Sequence, residues 1–338
     1  MAHPLELPDA ALATYLEDQL AGFRGPLKSS KFKGGQSNPT YLIEATNGRY
    51  VLRRKPLGQL LASAHAVDRE FRVLQALHGS TVPVAAPLHL CRDESVIGSM
   101  FYLMEFVGGR IFWDPALPEI MPEQRGAYFD AIINTLAALH RIDVTAVGLA
   151  DYGKPGNYFA RQICRWSEQY RSSETAPIAA MDALIERLPS RCFEDDGSVA
   201  LVHGDYRIDN VMFHPTEARV IAVVDWELST LGQPMADLGY FCMALRLPRN
   251  PALPGLAGMD RKALGIPSEK EILRRYSELS GRRIPDDWNF VLAFSYFRLA
   301  AIAQGVAKRA AQGNASSEQA IQAGRMTALL ANEALAAL

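Results

Sequence analysis

The chain has 338 residues, of which 49% are hydrophobic, 21% charged and 9% aromatic, the balance of a folded protein and not of a disordered tail, a collagen-like fibre or a coiled coil. Its formal net charge of −2 excludes a uniformly basic surface that coats nucleic acid. The length exceeds the ~150 residues of a typical domain, so one large domain or two lobes is expected.

Asp9 as N-cap opens a short helix with Leu12, Tyr15, Leu16 and Leu20 on one face, ended by Gly22, and strand material follows. Thr40 to Ala45 and Arg49 to Arg53 are β-rich runs joined by Asn47-Gly48, the pair that supplies the two positive φ angles of a tight hairpin. A helix is expected over Ala66 to Leu77 and a buried strand over Phe101 to Phe106, ending in the loop Val107-Gly108-Gly109. The pattern then turns helical. Phe129, Ile132, Ile133, Leu136 and Leu139 recur at 3.6 spacing, and further helices are expected over Tyr158 to Arg171 and Ile178 to Leu188. Val199 to Val202, Val211 to Phe213 and Val220 to Val224 read as a small strand group embedded in helices, and from Glu269 the chain is helical to its end. An α+β chain follows, with an N-terminal helix over 1–24, a β-rich N-lobe over 25–106 and a mainly helical C-lobe over 107–338.

The four cysteines, Cys91, Cys164, Cys192 and Cys242, form no C-x-x-C pair, which excludes a zinc ribbon and a thioredoxin-like motif and leaves reduced, buried thiols. Met1 to Leu20 has no basic segment ahead of an apolar run, so no signal peptide is expected. The most apolar stretch, Val291 to Val306, is interrupted by Arg298 and Gln304. A cytoplasmic protein without membrane or nucleic-acid partners is the expectation.

The chemistry concentrates in Leu201-Val202-His203-Gly204-Asp205-Tyr206-Arg207-Ile208-Asp209-Asn210 and in Val223-Val224-Asp225-Trp226-Glu227. A lone Asp at a strand end is usually a turn residue. Here His-x-Asp, an Asn five residues after that Asp, and an Asp closing the next apolar strand together match the spacing of a phosphoryl-transfer site. Asp205 would accept the proton of a substrate hydroxyl, while Asn210 and Asp225 offer the hard oxygen ligands that Mg²⁺ prefers. No G-x-S-x-G, G-x-x-x-x-G-K-[ST] or G-x-G-x-x-G run occurs, so hydrolase, Walker-type ATPase and nicotinamide dehydrogenase readings fall away.

These segments, with Ala236-Asp237-Leu238-Gly239-Tyr240 downstream, resemble the kinase-like phosphotransferases of the aminoglycoside phosphotransferase family. Gly34 to Tyr41, Val51 to Pro56, Arg298 to Ile302 through Gln304-Gly305, and Gly313 to Ser317 resemble more narrowly the kinase-like domain found fused to acyl-CoA dehydrogenases. The resemblance covers about residues 25 to 330 and implies a bilobal protein-kinase-like fold that binds ATP and Mg²⁺. No dehydrogenase domain is expected within the residues that remain.

By that resemblance Gly34, Gly35, Gln36, Ser37 and Asn38 form the phosphate-approaching turn, and Glu105 and Val107 lie in the linker that meets adenine with main-chain groups. The strand lysine of kinases is replaced by Arg53; Lys55, two residues on, could share or take its role. Glu70 resembles the helix partner of that cation, against the alternative of a solvated helix face. His203 reads as a buried loop-fixing residue rather than a base. Asp209 and Glu227 are placed outside the metal positions, and Asp237 is expected to hold the catalytic-loop backbone.

The expected acceptor is a small-molecule hydroxyl. Residues 245–338 carry thirteen Lys or Arg against eight Asp or Glu, which disfavours a polycationic aminoglycoside and favours an anionic acceptor such as a hydroxyacyl-CoA. Arg298 is the candidate pocket-facing cation, with a buried structural ion-pair partner as its alternative. The rival class is a nucleotide-binding pseudokinase without turnover, and the rival substrate an aminoglycoside.

Overall fold

The structure is a computed structural model and describes residues 6–32, 38–56, 66–193, 196–250, 253–309 and 317–338. In chain order its elements begin α1 (Asp9–Gln19), β1 (Leu27–Lys31), β2 (Thr40–Ala45), β3 (Gly48–Arg54), α2 (Val67–Leu77), β4 (Pro87–Cys91), β5 (Phe101–Glu105) and β6 (Arg110–Ile111). They continue α3 (Pro122–His140), α4 (Tyr158–Ser173), α5 (Ala179–Arg191), β7 (Ala200–Val202), β8 (Val211–Phe213), β9 (Val220–Val223) and β10 (Thr230–Gly232). Four helices close the chain: α6 (Met235–Arg246), α7 (Glu269–Ser280), α8 (Trp288–Arg309) and α9 (Ser317–Ala337). Two compact units emerge. The first is Met1–Ile111 with Thr145–Leu149 and Asn210–Ser229; the second is Phe112–Val144 with Ala150–Asp209 and Thr230–Leu338.

In the first unit five strands run in the order β1-β2-β3-β5-β4, every neighbouring pair antiparallel. Tyr41 and Ile43 alternate inward along β2, and Leu12 and Leu16 of α1 join them in one core with Phe23, Leu52, Phe101 and Leu103. The N-terminal helix is therefore part of this unit's core and not a separate segment. Pro8, not Asp9, takes the N-cap; the Asp9 carboxylate instead accepts from the Ser29 N–H at 3.0 Å and hydroxyl at 2.5 Å, tying α1 to β1.

The hairpin differs from its expected turn. Ala45 faces Gly48 across the ladder, so the loop is Thr46-Asn47, and neither Asn47 nor Gly48 has a positive φ. The Asn47 side chain supplies the reason: it accepts from the Arg24 N–H at 2.9 Å and donates to the Gly22 carbonyl at 2.6 Å. The turn is thus shaped by its bonds to the α1–β1 link. Strand β4 escaped the sequence reading because it opens on Pro87 and carries a register shift between Pro87 and His89. The expected central strand group also divides: β8 pairs with β9 and with β6, whereas β7 pairs with β10.

The second unit is built on α8. Phe290, Val291, Leu292, Phe294 and Phe297 are all buried, and a tilted aromatic cluster links Phe159, Phe193, Phe290 and Phe294 at ring separations of 5.0–5.5 Å. Each such side chain contributes about 1.5–3 kcal/mol by leaving water. Among the described residues α8 is the one helix long and apolar enough to cross a membrane, and 89% of its most apolar window is buried in protein. Gly239 of α6 lies where a Cβ would meet Val291 Cγ1 at 2.5 Å, so its lack of a side chain lets α6 and α8 approach closely.

Candidate active site

In the first unit the sheet carries Arg53 into a ring of carboxylates. Its Nε lies 2.9 Å from Glu70 Oε2 on α2, and its Nη2 lies 2.6 Å from Asp225 Oδ1 and 3.3 Å from Glu227 Oε2. Glu70 is 2% exposed. It accepts from Asn38 Nδ2 at 2.6 Å and from the Tyr102 hydroxyl at 3.1 Å, so it is not the solvated residue of a helix face. Burial pushes the Glu70 carboxyl up to about 7 against the opposing pull of Arg53. Burial works against the Arg53 charge as well, but Glu70 and the further acidic neighbours outweigh it and raise its pKa.

The ladder between β8 and β9 places Asn210 beside Asp225. Val211 faces Val223, and the Val224 N–H donates to the Asn210 carbonyl at 3.0 Å. Asn210 is 8% exposed and the Asp225 side chain 35%. Asp225 adopts the left-handed region, φ 67° and ψ 61°, which a short polar side chain tolerates better than most. This aims its carboxylate at Arg53. Among the described residues no three His, Cys, Asp or Glu gather into a metal-holding group. A cation here would thus rest on Asn210 and Asp225 with the phosphates of a nucleotide, a donor set of hard oxygens that suits Mg²⁺.

Not every nucleotide candidate joins this cluster. Gly34, Gly35, Gln36 and Ser37 lie outside the described residues. Asn38 is fully buried and turned to Glu70. Lys55 falls one residue past β3, half-buried, its N–H donating to the Met100 carbonyl at 2.9 Å. Glu105 ends β5 exposed, with its N–H on the Ala86 carbonyl at 2.9 Å, and Val107 is half-buried in the loop beyond.

In the second unit the loop after β7 holds Asp205. Asp237, 1% exposed in the first turn of α6, accepts the N–H groups of His203 at 2.6 Å and Gly204 at 2.8 Å. Burial opposes its charge, but His140, His203 and the Gly204 N–H outweigh that and hold the carboxyl below its ordinary value. Gly204 has φ 82°, a conformation that glycine adopts without strain. His203 is fully buried and its Nδ1 accepts the Asp205 N–H at 3.2 Å; an Nδ1 that accepts carries no proton. Arg207 reaches both Asp205, at 3.9 Å, and Asp209, and burial, then the nearby Asp205 charge, push the Tyr240 hydroxyl up. The neighbourhood of Arg207 and Tyr240 was invisible in sequence, because neither type at those spacings signals a contact.

Arg298 does not face a pocket. It is 3% exposed and donates through Nη2 to the Gly204 carbonyl. Part of the basic excess of residues 245–338 is met from outside that segment, Arg249 pairing with Asp114 and Arg275 lying 3.9 Å from Asp130, while Arg246, Arg274 and Arg283 pair with acids inside it. Charge counting alone therefore points less strongly to an anionic acceptor than the sequence implied. A cleft of about 660 Å³ adjoins the loop, with Arg207, Asp209 and Tyr240 on one side and Phe129, Phe241, Leu247, Leu253 and the 70% exposed Trp113 among its apolar walls.

Residues 28–271 match the phosphotransferase enzyme family. The chain is 46% identical over 329 residues to acyl-CoA dehydrogenase family member 10 of Mus musculus, covering 97% of this chain and 31% of that protein. It is 42% identical over 313 residues to family member 11 of Homo sapiens, covering 91% and 40%. This chain thus spans about a third to two-fifths of the length of these relatives. A crystal structure from Ralstonia eutropha, named as a candidate aminoglycoside phosphotransferase, is 48% identical with a TM-score of 0.87, covering 98% of this chain and 99% of that one. Spectinomycin phosphotransferase in complex with ADP and spectinomycin is 13% identical with a TM-score of 0.65, covering 99% of both chains, a likeness of fold alone. The fold is protein-kinase-like, with the antiparallel sheet in the N-terminal part and helices in the C-terminal part.

Proposed function

The chain belongs to the phosphotransferase enzyme family, and from that premise we propose that it transfers the γ-phosphoryl group of Mg·ATP to the hydroxyl of a small molecule, a hydroxyacyl-CoA. Asp205 accepts the hydroxyl proton as the oxygen attacks phosphorus in line with the departing ADP oxygen. Asn210 and Asp225 would hold Mg²⁺, which would supply positive charge against that of the phosphates. Arg53 meets the nucleotide phosphates from its pairing with Glu70. Gly34 to Asn38 are assigned to the phosphates by their small residues, and Glu105 and Val107 to the adenine edge by their places at the end of β5 and just beyond it.

The single observation that carries this reading is the strand cation Arg53 held between Glu70 of α2 and Asp225. A strand cation paired with a helix glutamate, beside a metal-position Asp, is the constellation of kinase-like phosphoryl transfer. It also weighs against a silent module, since Asp205, Asn210 and Asp225 all stand where the chemistry needs them in the chain.

The hydroxyacyl-CoA acceptor rests on two supports. One is the cleft, whose walls are mostly apolar and whose carboxylates Asp114 and Asp209 are already engaged by Arg249 and Arg207, which suits an acyl body better than a polycation. The other is the likeness to acyl-CoA dehydrogenase family members. The test is coupled ADP release in Mg·ATP with a 4-hydroxyacyl-CoA, a free hydroxy acid and kanamycin at equal concentration. Turnover of the thioester above the others is expected; preference for kanamycin overturns the acceptor, and no ADP release with any overturns the kinase reading in favour of a nucleotide-binding module.

A further inference from the structure

We infer that Arg298 on α8 is a positioning residue of the transfer reaction, which holds the Gly204 carbonyl, and through that peptide plane the Asp205 backbone, in the orientation that takes the acceptor's proton. The inference rests on the reading of Asp205 as the base.

Packing does not account for an arginine at position 298. It sits 3% exposed in a helix whose neighbours Phe294, Phe297, Ala300 and Ala301 are apolar and buried, where a guanidinium has a large desolvation cost and a methionine would fill similar space. The charge is directed instead. Nη2 donates to the Gly204 carbonyl, and Cζ lies 5.1 Å from the centre of the Tyr240 ring and 5.4 Å from that of Trp166. Two aromatic faces attract the cation and hold it in place.

Gly204 is then held at both of its polar groups. Its N–H is bound by Asp237 of α6 at 2.8 Å and its C=O by Arg298 of α8. That carbonyl belongs to the peptide plane joining Gly204 to Asp205, and the N–H of the same plane is received by His203 Nδ1 at 3.2 Å. With the plane fixed at both ends, the N–Cα bond of Asp205 has one direction, and its side chain departs from a fixed point. Gly239, by admitting Val291 against α6, sets the helix that carries Asp237 close to the helix that carries Arg298.

The test compares Arg298→Met and Arg298→Lys with Asp205→Asn as reference, using ADP release in Mg·ATP with a 4-hydroxyacyl-CoA and hydrogen–deuterium exchange of the loop His203 to Asp209. Arg298→Met is expected to lower kcat about 10²-fold, as a misplacement of the reacting group does, with the KM for ATP unchanged, and Arg298→Lys to recover part of it by restoring a donor. In the Asp205→Asn background Arg298→Met has no further effect on the rate, because it acts through the residue already lost. Exchange in the loop rises in Arg298→Met while α8 stays protected. Wild-type kcat in Arg298→Met, or an undiminished Arg298→Met effect without Asp205, overturns the inference. Unchanged loop exchange in Arg298→Met overturns it too, whatever the rates. Wild-type kcat in Asp205→Asn instead removes the base reading, and absence of turnover by the wild type removes only the acceptor, leaving the exchange experiment to decide the clamp.

Discussion

Asp237 holds Gly204: the Oδ1 of a carboxylate at the start of α6 accepts the Gly204 N–H at 2.8 Å, while its Oδ2 takes that of His203 at 2.6 Å and lies 3.2 Å from His140 Nε2. His140 in turn meets the Tyr276 hydroxyl at 2.7 Å through Nδ1. The loop bearing Asp205 is thus anchored through a buried polar chain reaching α3 and α7.

Loss of that anchor should be visible in stability. Asp237→Asn leaves a backbone N–H facing an amide donor, which costs about 1–3 kcal/mol. The folded carboxyl titrates below its ordinary value of 3.8, so its contribution is present above about pH 4 and is lost as pH falls through the folded value. Denaturant midpoints from pH 3 to 8 should show the gap between wild type and Asp237→Asn closing at the acid end; a constant gap would contradict the linkage.

Glu70 should act with the opposite sign. Its folded value of about 7 stands above the ordinary 4.5, so between these pH values the folded chain keeps a proton that the unfolded chain has lost. This group's contribution therefore falls as pH rises through the window, by about 3 kcal/mol at 1.36 kcal/mol per unit. Glu70→Gln should flatten stability between pH 4.5 and 7. Parallel curves for the two proteins exclude this titration.

The choice between Arg53 and Lys55 is open to direct measurement. Arg53→Met leaves Glu70 buried beside no guanidinium, a loss of about 3–5 kcal/mol for a broken buried pair, and should weaken ATP binding by calorimetry. Lys55→Met, outside the cluster, should change stability by less than about 0.5 kcal/mol and nucleotide affinity little. Reversed affinities would assign the phosphates to Lys55.

Asp205 and Asp225 should separate by readout. Asp205→Asn removes a positioned base, typically ~10²–10⁴ in rate, with ATP affinity retained. Asp225→Ala should lose turnover together with Mg²⁺-dependent nucleotide binding. Wild-type turnover in either variant, with an accepted substrate, refutes its role.

Activity should need no prior phosphorylation. Regulated protein kinases carry an Arg before the catalytic Asp that pairs with a phosphorylated segment; here that residue is Gly204. The stretch between Asp225 and Asp237 is taken up by a single turn over Trp226–Leu228, by β10 and by the start of α6. Phosphatase treatment should leave the rate unchanged and casein should go unphosphorylated.

Much of this molecule could be read from local pattern. The stripe at 3.6 spacing located α3, the pattern over Ala66 to Leu77 located α2, and the order His203, Asp205, Asn210, Asp225 pointed to the phosphotransferase family. These signals depend on backbone preference and spacing within a few residues. Other features could not be read that way. Whether Glu70 was a solvated helix residue, and which basic residue it would hold, was decided by the register that sets Arg53 opposite Tyr102, whose hydroxyl also meets Glu70. The Thr46-Asn47 turn followed from bonds to Arg24 and Gly22, not from the Asn-Gly pair. Arg298 looked like a pocket cation and is a clamp on a carbonyl 94 residues away, just as Arg53 meets Asp225 across 172. Contacts at such separations are set by how the cores pack, because only burial removes the water that would otherwise satisfy each of these groups.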